Sequence, residues 1–212
     1  MSAILRPDFS FEDQYQGIIC GIDEVGRGPL AGPVVAAAVV FRRAGLCTDL
    51  CAEIHDSKKL SAKKREYLYN RIFDFADVSI AECSPQEIDQ INILQATLQA
   101  MQRACANLNI APDVALIDGN KAPKLPCKTQ TIVKGDSKSL SIAAASIIAK
   151  HYRDSLMQKF AKEFPQYGWE RNAGYGTREH LQAIEIHGIT PLHRHSFAPI
   201  SKQSVKQNSV IY

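Results

Sequence analysis

Four carboxylates stand out by where they fall. Asp23 and Glu24 follow the apolar run Ile18-Ile19-Cys20-Gly21-Ile22, Asp118 follows the run Asp113-Val114-Ala115-Leu116-Ile117, and Asp136 follows Lys134-Gly135. Carboxylates brought together repel, so they stay ionised only around a cation, and Mg²⁺ or Mn²⁺, which prefer oxygen ligands, suit such a set. Two such ions about 3.5 to 4 Å apart, one activating water and the other holding the leaving oxygen, are the usual arrangement for in-line phosphodiester cleavage. A single acid at a strand end as a rule merely caps a turn. Three acidic strand ends in one chain make that account insufficient.

The glycines beside the first pair invite a second test. Gly26, Gly28 and Gly32 are spaced unlike the dinucleotide fingerprint, and Pro29 and Pro33 bracket a turn that leads into the strand-like PVVAAAVVF rather than a helix, so no helix N-terminus is offered to a pyrophosphate. What the glycines do offer is backbone that can approach a ligand closely. Cys47, Cys51 and His55 recur every four residues, but a fourth ligand is missing and the segment reads as loop, so a metal site there is not expected.

The elements that must position the acids follow from periodicity and punctuation. Apolar runs predict strands at 18–22, 33–41, 78–83, 113–117 and 129–133, the first two joined as a hairpin. Ser61 opens a basic amphipathic helix to about Ala76, and Ser84-Pro85-Gln86-Glu87 opens a helical region to about Leu108. A third helix runs from about Ser139 to Glu163, its small apolar stretch Ile142–Ala149 suited to close packing on a sheet, and Thr177 caps a fourth that ends at His187-Gly188. Residues 42–60 and 165–176 read as loops, and 189–197 as irregular and basic. The result is an α/β fold with a mixed sheet covered by helices, whose carboxyl strand ends gather Asp23, Glu24, Asp118 and Asp136.

With 212 residues, 45% of them hydrophobic, the chain suits one globular domain, and its formal charge of +3 permits a nucleic-acid partner without requiring one. The six cysteines are scattered through apolar runs, which suggests reduced thiols and a cytoplasmic protein. The first residues lack the apolar core of a signal peptide, and no run reaches membrane-spanning length.

Several motifs in one order closely resemble bacterial ribonuclease HII: Asp23-Glu24-Val25-Gly26-Arg27-Gly28, Asp56-Ser57-Lys58-Lys59-Leu60, Asp118-Gly119-Asn120, Lys134-Gly135-Asp136 with Ser141–Lys150, Gly174-Tyr175-Gly176-Thr177, and His193-x-x-Ser196-Phe197. The resemblance spans about Gly17 to Pro199. It implies a ribonuclease H-like fold, a mixed five-stranded sheet flanked by helices with a small helical C-terminal part. It also implies an endonuclease that cuts the RNA strand of RNA/DNA hybrids and incises 5′ of single ribonucleotides in duplex DNA, leaving 3′-hydroxyl and 5′-phosphate ends, as in ribonucleotide excision repair and primer removal.

Carried over residue by residue, Asp23, Glu24, Asp118 and Asp136 would hold two Mg²⁺ or Mn²⁺ ions, with Asp23 bridging. Gly26, Arg27 and Gly28 would sense the ribose 2′-hydroxyl, largely through backbone groups, in keeping with its being what separates RNA from DNA at one position. Tyr175 would pack on the sugar at the junction. Lys58, Lys59, Lys150 and Arg153 would meet backbone phosphates, contacts that position rather than specify, although a lysine's default is a solvated surface. His180, His193 and Arg194 are further basic candidates near the substrate. His195 stands where the family more often has arginine, so no phosphate contact is carried over to it.

On this reading residues 1–16 are an N-terminal arm, 17–200 the catalytic domain and 201–212 a mobile polar tail, in a protein expected to be monomeric. The tail's Gln207-Asn208-Ser209-Val210-Ile211-Tyr212 has the outline of a sliding-clamp peptide. Two other readings are a DNA-cutting nuclease of the transposase or resolvase kind on the same fold, and a hybrid-binding module whose acids hold only a structural ion.

Overall fold

The computed structural model describes residues 6–201, so the clamp-like segment Gln207 to Tyr212 lies outside the described residues. The expected catalytic span falls into two compact units, one comprising the chain up to Val25, Val35–Glu82 and Leu98–His151, the other Gly26–Val34, Cys83–Thr97 and the chain from Tyr152.

The first unit is built on a five-stranded sheet in the order β3-β2-β1-β4-β5. β1 (Ile19–Val25) and β2 (Val34–Phe41) form the expected antiparallel hairpin, in register from Gly21 opposite Val39 to Val25 opposite Val35. Every residue of β2 is buried, which is why its sequence is a continuous apolar run rather than an alternation. β1 runs one residue past Glu24, so the acidic pair lies inside the strand and not after it.

α1 (Thr48–Glu53) and a 3-10 turn at Ser57–Lys59 occupy the stretch expected to be loop. α2 (Ala62–Phe75) begins where the Ser61 hydroxyl accepts from the Lys64 amide, and it buries Leu68 and Ile72. β3 (Ala76–Cys83) leads to α3 (Pro85–Ala106), opened by a reciprocal capping box in which Ser84 and Glu87 each accept the other's amide. α3 is broken at Asn92, whose backbone is left-handed at φ 66° and whose side chain accepts from the amides of Leu94 and Gln95, restarting the helix.

β4 (Val114–Asp118) and β5 (Lys128–Ile132) pair parallel to each other, and β4 pairs parallel to β1. α4 (Leu140–Glu163) then packs its first ten residues almost wholly out of solvent. At Gly21 a Cβ would come 2.2 Å from the backbone carbon of Ser141, so β1 and the start of α4 touch backbone to backbone and only glycine fits. Part of the N-terminal arm is docked here: Glu12 is buried, and its carboxylate accepts from the Ser139 hydroxyl and the Ser141 amide, capping α4.

In the second unit, α5 (Trp169–Asn172) and α6 (Arg178–His187) supply the small helical C-terminal part. Its core joins Leu30, Ala31, Met157, Tyr167, Trp169 and Ile184. The stretch 165–176, expected to be loop, contains α5 and a 3-10 turn at Pro165–Tyr167. Among the described residues all six cysteines are free thiols, and no helix is long and apolar enough to cross a membrane.

Candidate active site

Parallel pairing of β1, β4 and β5 brings their carboxyl ends to one edge of the sheet in the first unit. One step beyond the registered pair Ile22 and Ile117 come Asp23 and Asp118, so these acids stand side by side on neighbouring strands. Asp118 is in register with Ile132 at the end of β5, where Lys134 takes a left-handed backbone (φ 57°) and turns the chain into Gly135–Ser137. The Gly135 amide donates 2.6 Å to Asp118 Oδ1, which ties the end of β4 to the turn that carries Asp136.

Asp23 is only 5% exposed. Burial, then the carboxylates of Glu24, Asp118 and Asp136, push its carboxyl well above the usual carboxylate range, against one amide that donates to it from Glu24. Burial and then Asp118 and Asp56 likewise raise Asp136, while Lys58 and Lys59 oppose them. The four acids therefore feel one another, and they share a need for positive charge.

Lys58 supplies some of it. Its ammonium is 3.9 Å from Asp136 Oδ2, and although burial works the other way, Asp136, Asp23, Asp56 and Asp118 together raise its basicity. The 3-10 turn sets that position: Asp56 accepts the Lys58 amide, the Ser57 and Ser146 hydroxyls meet at 2.7 Å on α4, and the Arg65 guanidinium grips the carbonyls of Ser57 and Leu60. The sequence reading named Lys58 but not the turn, whose Asp-Ser-Lys-Lys start is a local cap signal in retrospect. Lys59 is exposed and Lys150 half-buried.

A divalent metal passes the test of chemistry. The donor set is all oxygen and two of its members are buried at mutual cost, which is the environment a hard cation relieves. Among the described residues no three acids, histidines or cysteines form a group that could hold an ion as they stand. Asp23 Oδ1 and Asp118 Oδ1 are each engaged by an amide.

The second unit holds the glycine turn. Gly26 has φ 91°, and a Cβ there would fall 2.2 Å from Arg153 Nε. Arg153 is 1% exposed and donates to the carbonyls of Pro33, Ala31 and Ala173. The phosphate contact expected of it is corrected: its guanidinium is spent inside the fold, holding the Ala31–Pro33 end of the turn and the residue before Gly174.

Arg194, also buried, donates to the carbonyls of Gly26, Arg27 and Gly32. Burial pushes the guanidiniums of Arg153 and Arg194 down to about 10 and about 9. Tyr175, by contrast, is 47% exposed, and its ring carbon Cε1 lies 3.5 Å from where a Gly28 Cβ would be. Tyrosine and turn thus adjoin on an open surface.

His180 and His193 do not reach that surface. His180 bridges the Tyr175 carbonyl and the Trp169 indole, and His193 joins His180 to the Thr190 amide. His195 is exposed, its amide capped by Asp89. His180, His193 and Arg194 are basic candidates in sequence, and no local signal separates a buried arginine or histidine from a surface one.

The sequence profile described as "Ribonuclease HII" matches residues 20–200. Ribonuclease HII of Wolbachia sp. subsp. Brugia malayi is 52% identical over 194 residues, covering 92% of this chain and 94% of its own. Among solved structures, ribonuclease H2 from Pyrococcus horikoshii matches with a TM-score of 0.76 at 25% identity, over 90% of this chain and 99% of its own. The ribonuclease HII in a PCNA complex from Archaeoglobus fulgidus matches with a TM-score of 0.71 at 25% identity, over 85% of this chain and 95% of that one.

Proposed function

The chain belongs to the ribonuclease HII family, and from that premise we propose a metal-dependent endoribonuclease that cuts RNA strands of RNA/DNA hybrids and incises 5′ of single ribonucleotides in duplex DNA. The observation that carries this reading is the convergence of Asp23, Glu24, Asp118 and Asp136 on one sheet edge, where burial and mutual repulsion raise Asp23 and Asp136.

Asp23, Glu24, Asp118 and Asp136 would hold Mg²⁺ or Mn²⁺, which when bound would make water a stronger nucleophile and offset charge on the leaving oxygen. By holding the cation, the four carboxylates would offset the repulsion among themselves and set where a phosphate could approach. Lys58 and Lys59 add positive charge where a phosphate backbone would run, and Lys150 is proposed as a further backbone contact. Gly26, Arg27 and Gly28 are proposed to meet the 2′-hydroxyl, and Tyr175, exposed beside Gly28, the sugar face. Products would carry 3′-hydroxyl and 5′-phosphate ends, as ribonucleotide excision repair and primer removal require.

A panel of three substrates with Mg²⁺ or Mn²⁺ tests this. A DNA duplex with one ribonucleotide and an RNA/DNA hybrid are expected to be cut, and an all-DNA duplex left whole. Cleavage of the all-DNA duplex would instead favour a DNA-cutting nuclease, and binding without cleavage a hybrid-binding module.

The tail from Gln207 to Tyr212 is proposed as a sliding-clamp peptide, a reading supported by the PCNA complex of the Archaeoglobus fulgidus relative. Loss of clamp binding on deleting those residues would be the expected result, and unchanged binding would refute it.

A further inference from the structure

We infer that Arg194 is a specificity-positioning residue: by drawing the carbonyls of Gly26 and Arg27 inward, it aims the amides of Arg27 and Gly28 outward, toward the ribose. The inference rests on the ribonuclease reading above and deepens it. It starts from the three bonds of one guanidinium: Nη2 to the Gly26 carbonyl at 2.5 Å, Nη1 to Arg27 at 3.0 Å and Nε to Gly32 at 2.9 Å. A trans peptide is planar, with its C=O and the next N–H pointing in opposite directions. Fixing the Gly26 and Arg27 carbonyls on Arg194 therefore turns the N–H groups of Arg27 and Gly28 away from it. The Tyr175 ring adjoins this turn, its Cε1 3.5 Å from where a Gly28 Cβ would be.

Arg194 can impose this geometry because it is itself immobile. Its amide donates to the Leu30 carbonyl at 2.8 Å, its carbonyl accepts from Phe197, and the Phe197 ring lies 5.1 Å beneath its guanidinium. Asp89 anchors the next two residues by accepting from the amides of His195 and Ser196, both at 2.9 Å. The planar fork matters: the three carbonyls are met by three different nitrogens, whereas a lysine's three donors all leave one nitrogen and cannot span them. Arg153 takes the neighbouring carbonyls of Ala31 and Pro33, so two buried guanidiniums between them turn five carbonyls of one turn inward. Burying two cations is costly, and a turn that merely linked two strands would not need it.

The test compares wild-type protein with Arg194→Lys and Arg194→Ala on a duplex carrying one ribonucleotide and on its all-DNA match. For Arg194→Lys, kcat/KM at the ribonucleotide should fall about 100-fold, the scale of a reacting group displaced by an ångström, while affinity for the all-DNA duplex stays unchanged. Guanidinium ion added at millimolar concentration should restore part of the activity of Arg194→Ala. Wild-type kcat/KM in Arg194→Lys would overturn the inference. Should both variants fail to fold, amide exchange in the wild-type protein decides: Arg27 and Gly28 should gain protection on binding the ribonucleotide duplex and not the all-DNA duplex, and equal protection by both overturns it. Absence of ribose-dependent incision in the wild type would instead overturn the ribonuclease reading.

Discussion

His193 Nε2 lies 3.2 Å from His180 Nε2, and only one placement of protons satisfies both rings. The Trp169 indole N–H donates to His180 Nε2, which must accept, so the His180 proton is on Nδ1 and donates to the Tyr175 carbonyl. The Thr190 amide donates to His193 Nδ1, so the His193 proton is on Nε2 and points at His180. Both rings are neutral, and together they run from Thr190 to the backbone of Tyr175.

Acid should break that chain. Burial, with His180 beside it, pushes His193 down to about 4. Between that value and about 6.5 the unfolded chain binds a proton that the folded one refuses, so stability falls as pH drops through this window. Unfolding free energy from urea titrations should decrease by about 2 kcal/mol from pH 7 to pH 5 on account of His193 alone. His193→Gln should lessen that slope, and an unchanged slope would show that the histidine is not buried neutral.

Removing a carboxylate should stabilise the metal-free protein. Asp23 has its folded pKa raised, so the folded state holds a proton that the unfolded state has lost, and stability falls as pH rises from about 4 toward that raised value. Asp23→Asn is expected to raise the melting temperature at pH 7 without metal, each kcal/mol relieved counting for about 2 to 4 °C in a chain of this size. Millimolar Mn²⁺ should raise the melting temperature of the wild type more than that of the variant.

Gly26 and Gly28, two residues apart, should respond differently to alanine. Gly26→Ala places a Cβ 2.2 Å from Arg153 Nε at φ 91°, and it should cost about 1 to 3 kcal/mol in urea titrations. Gly28→Ala meets only the Tyr175 ring at 3.5 Å, and its stability should stay within about 0.5 kcal/mol of wild type. Incision at a ribonucleotide should nevertheless drop, because the methyl group fills the space beside the tyrosine.

Much of this architecture was legible because its signals are local. The capping box at Ser84 and Glu87, the caps at Ser61 and Thr177 and the apolar run that ends at Asp118 all appear where the residues place them. The convergence of Asp23 with Asp118 followed from parallel strands alone. What sequence could not give depends on partners distant in the chain. Arg153 reads as a helix-surface cation until its carbonyl acceptors, 20 to 122 residues away, bury it. The break at Asn92 is similar, since a helical periodicity on both sides conceals one left-handed residue.

Lys58 is 80% exposed at its side chain and 3.9 Å from Asp136, so its positive charge is available to a phosphate backbone. Lys58→Ala should weaken duplex binding uniformly across sequences and reduce the slope of log affinity against log salt by about 1. A salt slope unchanged from wild type would remove Lys58 from the interface.

Asp23, Glu24, Asp118 and Asp136 are proposed to form one metal-dependent site for ribose-directed cleavage. Its most direct test is the rate of strand incision, with Mg²⁺, in a duplex carrying one ribonucleotide, measured for wild type, Asp23→Asn and Asp136→Asn. The wild type should cut the phosphodiester 5′ of the ribonucleotide, while both variants bind the duplex and fail to cut it. Incision by either variant at the wild-type rate would contradict the four-acid site.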